Sequence, residues 1–193
     1  FAGLRQLWRR HRLLVLAFYG MPPSPNEGQG IGRVVREVYR DGSLGPIYFI
    51  RYNRHAGWNE SNTRYPPYTA SPDDGFVQAC DTLLANKLMT MQWWEEDRSQ
   101  DGFYTVSGYQ APSFYRLPDG RAVALWKWGN VAITKDEGQT WSPVVRSPTL
   151  VMAGAKMWGQ RTSDGRYAIV RNPTPDNTHR WPLAVVTSDD GLI

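Results

Sequence analysis

Three polar stretches hold side chains suited to work on a charged, ring-shaped substrate. The first, RYNRHAGWNESNTRY, crowds Arg51, Arg54, His55, Trp58, Asn59, Glu60, Arg64 and Tyr65 into a segment with no helical or strand period. Aperiodic loops of this length inside compact domains are more often functional than not. The second, KMWGQR, holds Lys156, Trp158, Gln160 and Arg161, and strand alternation points Lys156, Trp158 and Gln160 the same way. The third, RNPTPDNTHRW, holds Arg171, Asn172, Asp176, His179, Arg180 and Trp181. Histidine is the side chain that exchanges protons near neutral pH, so His55 and His179 are the candidate acid–base groups, with Glu60 and Tyr65 beside the first. Arg54, Arg161 and Arg180 carry the forked cations that grip a carboxylate, Lys156 adds a point charge, and Asn172 adds an amide. Trp58, Trp158 and Trp181 offer flat floors for a sugar ring. The blander account is that these are solvated hairpin loops in a chain rich in aromatics. Glu95, Glu96 and Asp97 in WWEED add carboxyl groups, but adjacent acids are commonly solvated surface.

The chain that must position these groups has 193 residues, 41% of them hydrophobic and 21% charged. That suits a soluble globular domain, or part of a larger one. No run approaches the roughly 18 apolar residues of a membrane helix. Cys80 is the single cysteine, which excludes an internal disulfide and a cysteine-built zinc site. Three scattered histidines give no metal-ligand spacing, so no cofactor is expected. The net charge of +4 owes much to Arg5, Arg9, Arg10 and Arg12, and no nucleic-acid-binding motif accompanies them. Neither nucleic acid nor a membrane is expected as a partner, and the oligomeric state stays open. The 9 Trp, 10 Tyr and 6 Phe are heavy for this length, and many sit beside Gly, Pro, Asn or charged residues, as in a groove.

The elements are largely strands. RLLVLAFY, residues 12–19, reads as a buried strand, followed by a Pro- and Gly-rich loop. Two further strands flank the Asp41-Gly42 turn. One helix is predicted over about 71–92, capped by Ser71, with Phe76, Val77, Cys80, Leu83, Leu84, Leu88 and Met91 on one apolar stripe. Cys80 on that stripe reads as core. WKWG sets Trp126 and Trp128 on one face of a strand with Lys127 opposite.

From 108 to 193 the pattern repeats. PDGRAVAL and SDGRYAIV align at a spacing of 45, and TKDEGQT and TSDDGLI at 53. Two kinds of hairpin recur in the same order, with the period of a four-stranded propeller blade. TKDEGQTW carries Thr134, Asp136, Gly138, Thr140 and Trp141, and TSDDG repeats Thr187, Asp189 and Gly191. Asp136 can accept from the amides of its own turn, and Gly138 suits a backbone that other residues resist. Trp141 is expected to pack between blades.

This pattern resembles the Asp-box (BNR) repeat of sialidase-like β-propellers. GPIYFIRYNRHAGWNESNTRYP, LMTMQWWEEDR, LVMAGAKMWGQRT and NPTPDNTHRWPLAVVTSDDG are similar to one bacterial, carbohydrate-active group within that fold. The resemblance implies an all-β-dominated chain, a partial sialidase-like propeller with one inserted helix, six- or seven-bladed when intact. Residues 1–193 then form a fragment of a single propeller domain. It implies an enzyme that cleaves a glycosidic bond in an acidic or complex glycan, as a hydrolase or a uronate lyase. The alternative is a non-catalytic propeller that binds glycan or protein. True sialidases carry an Arg-Ile-Pro motif that is absent here. Their Asp-boxes lie away from the active site, so Asp136 is expected to serve the fold. Family membership favours a periplasmic or secreted location, and no signal peptide lies in this stretch.

Overall fold

The computed structural model describes residues 7–9, 12–20, 30–96, 106, 109, 111–176 and 181–192. The chain divides into two compact units, Phe1–Asp101 and Gly102–Ile193.

Unit 1 is an antiparallel meander of β1 (Leu7–Arg9), β2 (Arg12–Tyr19), β3 (Gly32–Val38) and β4 (Tyr48–Tyr52), hydrogen-bonded in that order. The Asp41 carboxylate accepts from the Ser43 amide and closes the β3–β4 turn. Because side chains alternate across a strand, the sheet can bury both faces. On one face Leu14, Leu16, Val35 and Ile50 pack with Phe76, Cys80, Leu83 and Trp93. On the other, Ile31, Val34, Phe49 and Tyr52 pack with Tyr19, Trp58 and Tyr65. β2 is therefore only half buried: Leu14 and Leu16 point inward while Ala17 and Phe18 are exposed.

The predicted single helix is two: α1 (Asp74–Ala85) and α2 (Lys87–Glu96). Asn86 breaks it. Its amide donates to the Leu83 carbonyl, ending α1, and its side-chain oxygen accepts from the Met89 amide, starting α2. The N-cap of α1 is Asp73, which accepts from the Phe76 amide, rather than Ser71. The stripe itself is as expected, with Phe76, Cys80, Leu83, Leu88 and Met91 buried. Each such side chain contributes about 1.5–3 kcal/mol through burial. Arg12, one of the amino-terminal arginines, is held by Glu37 at 2.6 Å and Asp73 at 2.8 Å.

Unit 2 holds two sheets. The first is β5 (Ser113–Arg116), β6 (Ala122–Trp126), β7 (Asn130–Thr134) and β8 (Val145–Arg146). The second is β9 (Trp158–Arg161), β10 (Tyr167–Arg171) and β11 (Ala184–Ser188). β5 and β9 lie side by side and run the same way: Ser113 Oγ donates to the Met157 carbonyl and Tyr167 Oη to the Arg116 carbonyl. Between the sheets lie Tyr115, Leu117, Leu125, Met152, Met157, Tyr167 and Ile169.

The two DGR turns are built alike. In the first, the Leu117 amide donates to the Arg121 carbonyl, and Asp119 accepts from the Arg121 amide and guanidinium. In the second, the Thr162 amide donates to the Arg166 carbonyl, and Asp164 accepts from the Arg166 amide and guanidinium. The other hairpin corrects the sequence alignment. Thr134 pairs with Ala122 in one sheet and Ser188 with Tyr167 in the other. Ser188 and Asp190, rather than Thr187 and Asp189, thus stand where Thr134 and Asp136 stand. Ser188 Oγ donates to Asp190, and Asp190 accepts from the Leu192 amide. Gly191, with φ 73°, closes that turn.

Trp126 and Trp128 do not share a strand face. β6 ends at Trp126, which is fully buried. Residues 127–129 form a tight turn in which Trp128 is left-handed and exposed.

Candidate functional site

The His55 loop is built outward from one residue the sequence reading passed over, Asn53, which is 1% exposed. Its amide nitrogen donates to the Gly30 carbonyl at 3.1 Å, and its side-chain oxygen accepts from the Ala56 amide at 3.2 Å. Its backbone amide donates to the Ile31 carbonyl, and its backbone carbonyl accepts from Trp58. Asn53 thus ties the end of the β2–β3 connection to a one-turn 3₁₀ helix, Arg54–Ala56, that Gly57 closes at φ 85°. Asparagine before the turn and glycine just past it are cap preferences, and Asn-Arg-His-Ala-Gly carried both.

On this turn Arg54 and His55 face solvent. Arg54 pairs with Glu60 at 2.7 Å, and both side chains are about half exposed or more. Glu60's own backbone amide and Arg54 hold its carboxyl below the ordinary carboxylate range, so it is ionised at neutral pH. Asn59 accepts from the amide and hydroxyl of Ser61, and Asn62 donates to the Gly57 carbonyl. Trp58 and Tyr65 are drawn partly into the core: Trp58 packs on the Phe49 cluster, and the Tyr65 ring lies edge-on to Tyr19 at 5.7 Å. Arg64 lies 5.4 Å over Tyr65. Arg54, His55 and Glu60 are among the exposed polar groups of this loop, with Ser61, Asn62 and Arg64, while Trp58 and Tyr65 also support it. The chain then runs back along β4, where the Phe49 amide donates to the Pro66 carbonyl.

In unit 2 the alternation of strand direction separates two ends. The DGR turns and the Asp136 hairpin lie at one. The 127–129 turn, the 147–157 connection and residues 172–176 and 181–183 lie at the other. Lys156 and Trp158 are exposed beside buried Met157 and Gly159, as alternation requires, and Trp181 is 68% exposed. Arg161 lies at the opposite end of β9, where its Nε donates to the Gly165 carbonyl and holds the DGR turn. It therefore does not join Lys156. Asn172 is buried and latches the base of its loop by donating to the Pro182 carbonyl at 3.0 Å. Arg171 donates through Nη1 to the Val151 carbonyl, and its Nε is buried without a hydrogen bond. It is a cation tied to the 147–157 connection at this end. Trp158 stands opposite Val170, and Val170 opposite Val185, in an exposed row across the sheet. His179 and Arg180 lie outside the described residues.

At the other end, Asp136 accepts from the Thr140 amide at 2.8 Å, from the Thr140 hydroxyl and from Thr134 Oγ1 at 2.7 Å. These bonds, Thr140 first, lower its pKa to about 2. The Gly138 amide donates to Thr134, which is 1% exposed. Trp141 donates to the Gly138 carbonyl and lies edge-on to Trp126 of the same sheet at 5.6 Å, half-buried against its own hairpin. In α2, Trp93 and Trp94 are buried, and Arg51 and Lys87 lie over the Trp94 ring at 3.6 and 4.1 Å. Those two tryptophans are core. Glu95 is half-buried, and Asp97 lies outside the described residues. Among the described residues no group of His, Cys, Asp and Glu could hold a metal ion, and no helix is long and apolar enough to cross a membrane.

A family model described as "Beta-prop_BT_1020:-like, N-terminal beta propeller" matches residues 7–111. A solved structure described as "Sialidase" aligns with a TM-score of 0.84 and 49% sequence identity, over 94% of this chain and 17% of its own. A search of curated proteins finds no match. Four-stranded antiparallel sheets, recurring hairpins and these similarities define a partial β-propeller of the sialidase-like class. The chain belongs to the BT_1020-like N-terminal β-propeller family. It spans about a sixth of the length of the sialidase it matches.

Proposed function

We propose that this chain is part of a carbohydrate-active enzyme that cleaves a glycosidic bond in an acidic or complex glycan. The observation that carries the reading is the 49% identity to a protein described as a sialidase over 94% of this chain. Cleavage needs a proton donor or acceptor at the bond, and His55 and His179 are the residues for it. Glu60, ionised beside Arg54, serves as a base or orients the turn rather than donating a proton. Tyr65, with its ring packed on Tyr19, is the hydroxyl-bearing aromatic assigned to that loop. Arg54 in unit 1, and separately Arg171, Arg180 and Lys156 in unit 2, are the cations for a substrate carboxylate, with Arg161 committed to its own turn. Trp58, Trp158 and Trp181 contact sugar rings, and Asn172 shapes its loop. The Thr134–Trp141 hairpin acts as an Asp-box staple of the fold, with no part in chemistry. Elimination takes the C5 proton of a uronate and expels the sugar linked at its O4, leaving a C4–C5 double bond; hydrolysis adds water across the bond and serves uronate-bearing and other glycans alike.

The test is product release by the full-length protein from sialyllactose, pectin and gum arabic. A reducing-end assay reads both reactions, and ultraviolet absorbance of an unsaturated product reads elimination. His55→Ala is expected to lose at least about two orders of magnitude in rate, the range for a missing acid–base group, with its melting point retained. Full activity in a folded His55→Ala protein would remove His55 from the mechanism. The second reading, a glycan-binding propeller without catalysis, is favoured by the exposure of His55 and the engagement of Arg54 by Glu60. Binding without product from any substrate would establish it.

A further inference from the structure

We propose that Trp128 is the floor of a saccharide position at the loop end of unit 2, its indole stacking on the apolar face of a sugar ring. The inference rests on the glycan reading above and assigns that end a specific contact.

Trp128 has φ 66° and ψ 18°, the left-handed region that bulky side chains rarely adopt. Glycine or asparagine would make this turn without strain. Such strain persists where the surroundings over-determine it, and it clusters at ligand clamps. The surroundings here do so. Asn130 Nδ2 donates to the Lys127 carbonyl at 2.8 Å, and the Ser147 amide donates to the Gly129 carbonyl at 2.8 Å. Gly129 sits so close to the 147–157 connection that a Cβ there would lie 2.7 Å from the Leu150 carbonyl oxygen. The turn is therefore pinned from both sides.

Within unit 2 the indole stays partly exposed. It is 38% exposed, while Trp126, two residues earlier, is fully buried. Among the described residues the Trp128 indole has no hydrogen bond and no ring partner, whereas Trp126 meets both Tyr109 and Trp141. A flat surface is thus carried on a fixed turn at the end that also presents Lys156, Trp158 and Trp181. A sugar ring fits that surface: one face of a pyranose is a patch of C–H groups, and its rim of hydroxyls needs the cations and amides nearby. The stacking face costs little to order because the turn is already fixed.

The test uses the full-length protein in affinity electrophoresis through gels containing gum arabic, pectin or polysialic acid. The wild type is expected to be retarded by at least one of them. Trp128→Gly is expected to weaken that retardation about tenfold in dissociation constant, equivalent to about 1.4 kcal/mol. Trp128→Tyr keeps most of it. Glycine accepts the left-handed backbone, so Trp128→Gly should melt no lower than the wild type. Equal retardation of wild type and Trp128→Gly would overturn the proposal while leaving the glycan reading intact. A lower melting point for Trp128→Gly would also overturn it, by showing that the indole is packed. A wild type that no gel retards, and that releases no product, would overturn both.

Discussion

Replacing Asn53 tests how the His55 loop is held. Asn53→Ala removes two side-chain hydrogen bonds. The Ala56 amide also donates to the Asn53 backbone carbonyl at 3.2 Å, so that donor keeps a partner. The buried Gly30 carbonyl loses the amide that served it. One lost hydrogen bond costs about 1 kcal/mol, and a stranded buried acceptor costs about 1–3 kcal/mol. The expected loss is therefore about 2–4 kcal/mol. For a chain of 193 residues that lowers the melting temperature by about 4–16 °C. Asn53→Asp separates this account from simple truncation. At neutral pH it keeps the acceptor for Ala56 but sets a buried carboxylate against the Gly30 carbonyl. It should be less stable than Asn53→Ala. Protonation turns that carboxyl into a donor toward Gly30. Its folded-state pKa is thus raised, so its deficit should grow as pH rises past the ordinary aspartate value and shrink as pH falls toward 4. The assay is calorimetric melting of the full-length protein and both variants from pH 4 to 7, each compared with wild type at the same pH. An Asn53→Ala melt within 1 °C of wild type would refute the reasoning, as would an Asn53→Asp deficit that ignores pH.

The Asp136 turn and Cys80 give two further tests. The pKa of Asp136, near 2, is depressed below its ordinary value of 3.8. Its contribution is complete above about pH 4 and lost as pH falls toward 2. The gap in melting temperature between wild type and Asp136→Asn should therefore be widest above pH 5 and narrow in acid, and a pH-independent gap would contradict the turn geometry. Cys80 is fully buried, and burial pushes its thiol up to about 12. A maleimide should label it only at the rate of unfolding, and prompt native-state labelling would show that α1 opens locally.

The fold was legible where a few consecutive residues decide it. Asp119-Gly120 and Asp164-Gly165 dictate turns whose bonds close within five residues, and both formed as read. Elements decided by a single polar residue or by distant pairing were harder. Asn86 interrupts the helix while Leu88 and Met91 keep to the apolar stripe, so the periodicity carried straight across the break. The spacing of 53 aligned Asp189 with Asp136. Pairing with β10 sets Ser188 opposite Tyr167 instead, and the extra residues sit in the β10–β11 loop. Alternation served Lys156 and Trp158 well. It failed for Arg161, which a strand end delivers to its own turn, and for Trp128, where the strand had already ended. Asn53 was missed because its partner Gly30 lies 23 residues away, and only its cap preference marked it.

The exposed row Trp158–Val170–Val185 lies on a sheet in which, among the described residues, β11 is paired only to β10. An unpaired strand carrying apolar side chains is a template for a second strand. Anyone expressing residues 1–193 alone should therefore meet concentration-dependent self-association through β11. Lysine at Val185 should relieve it without touching the interior packing.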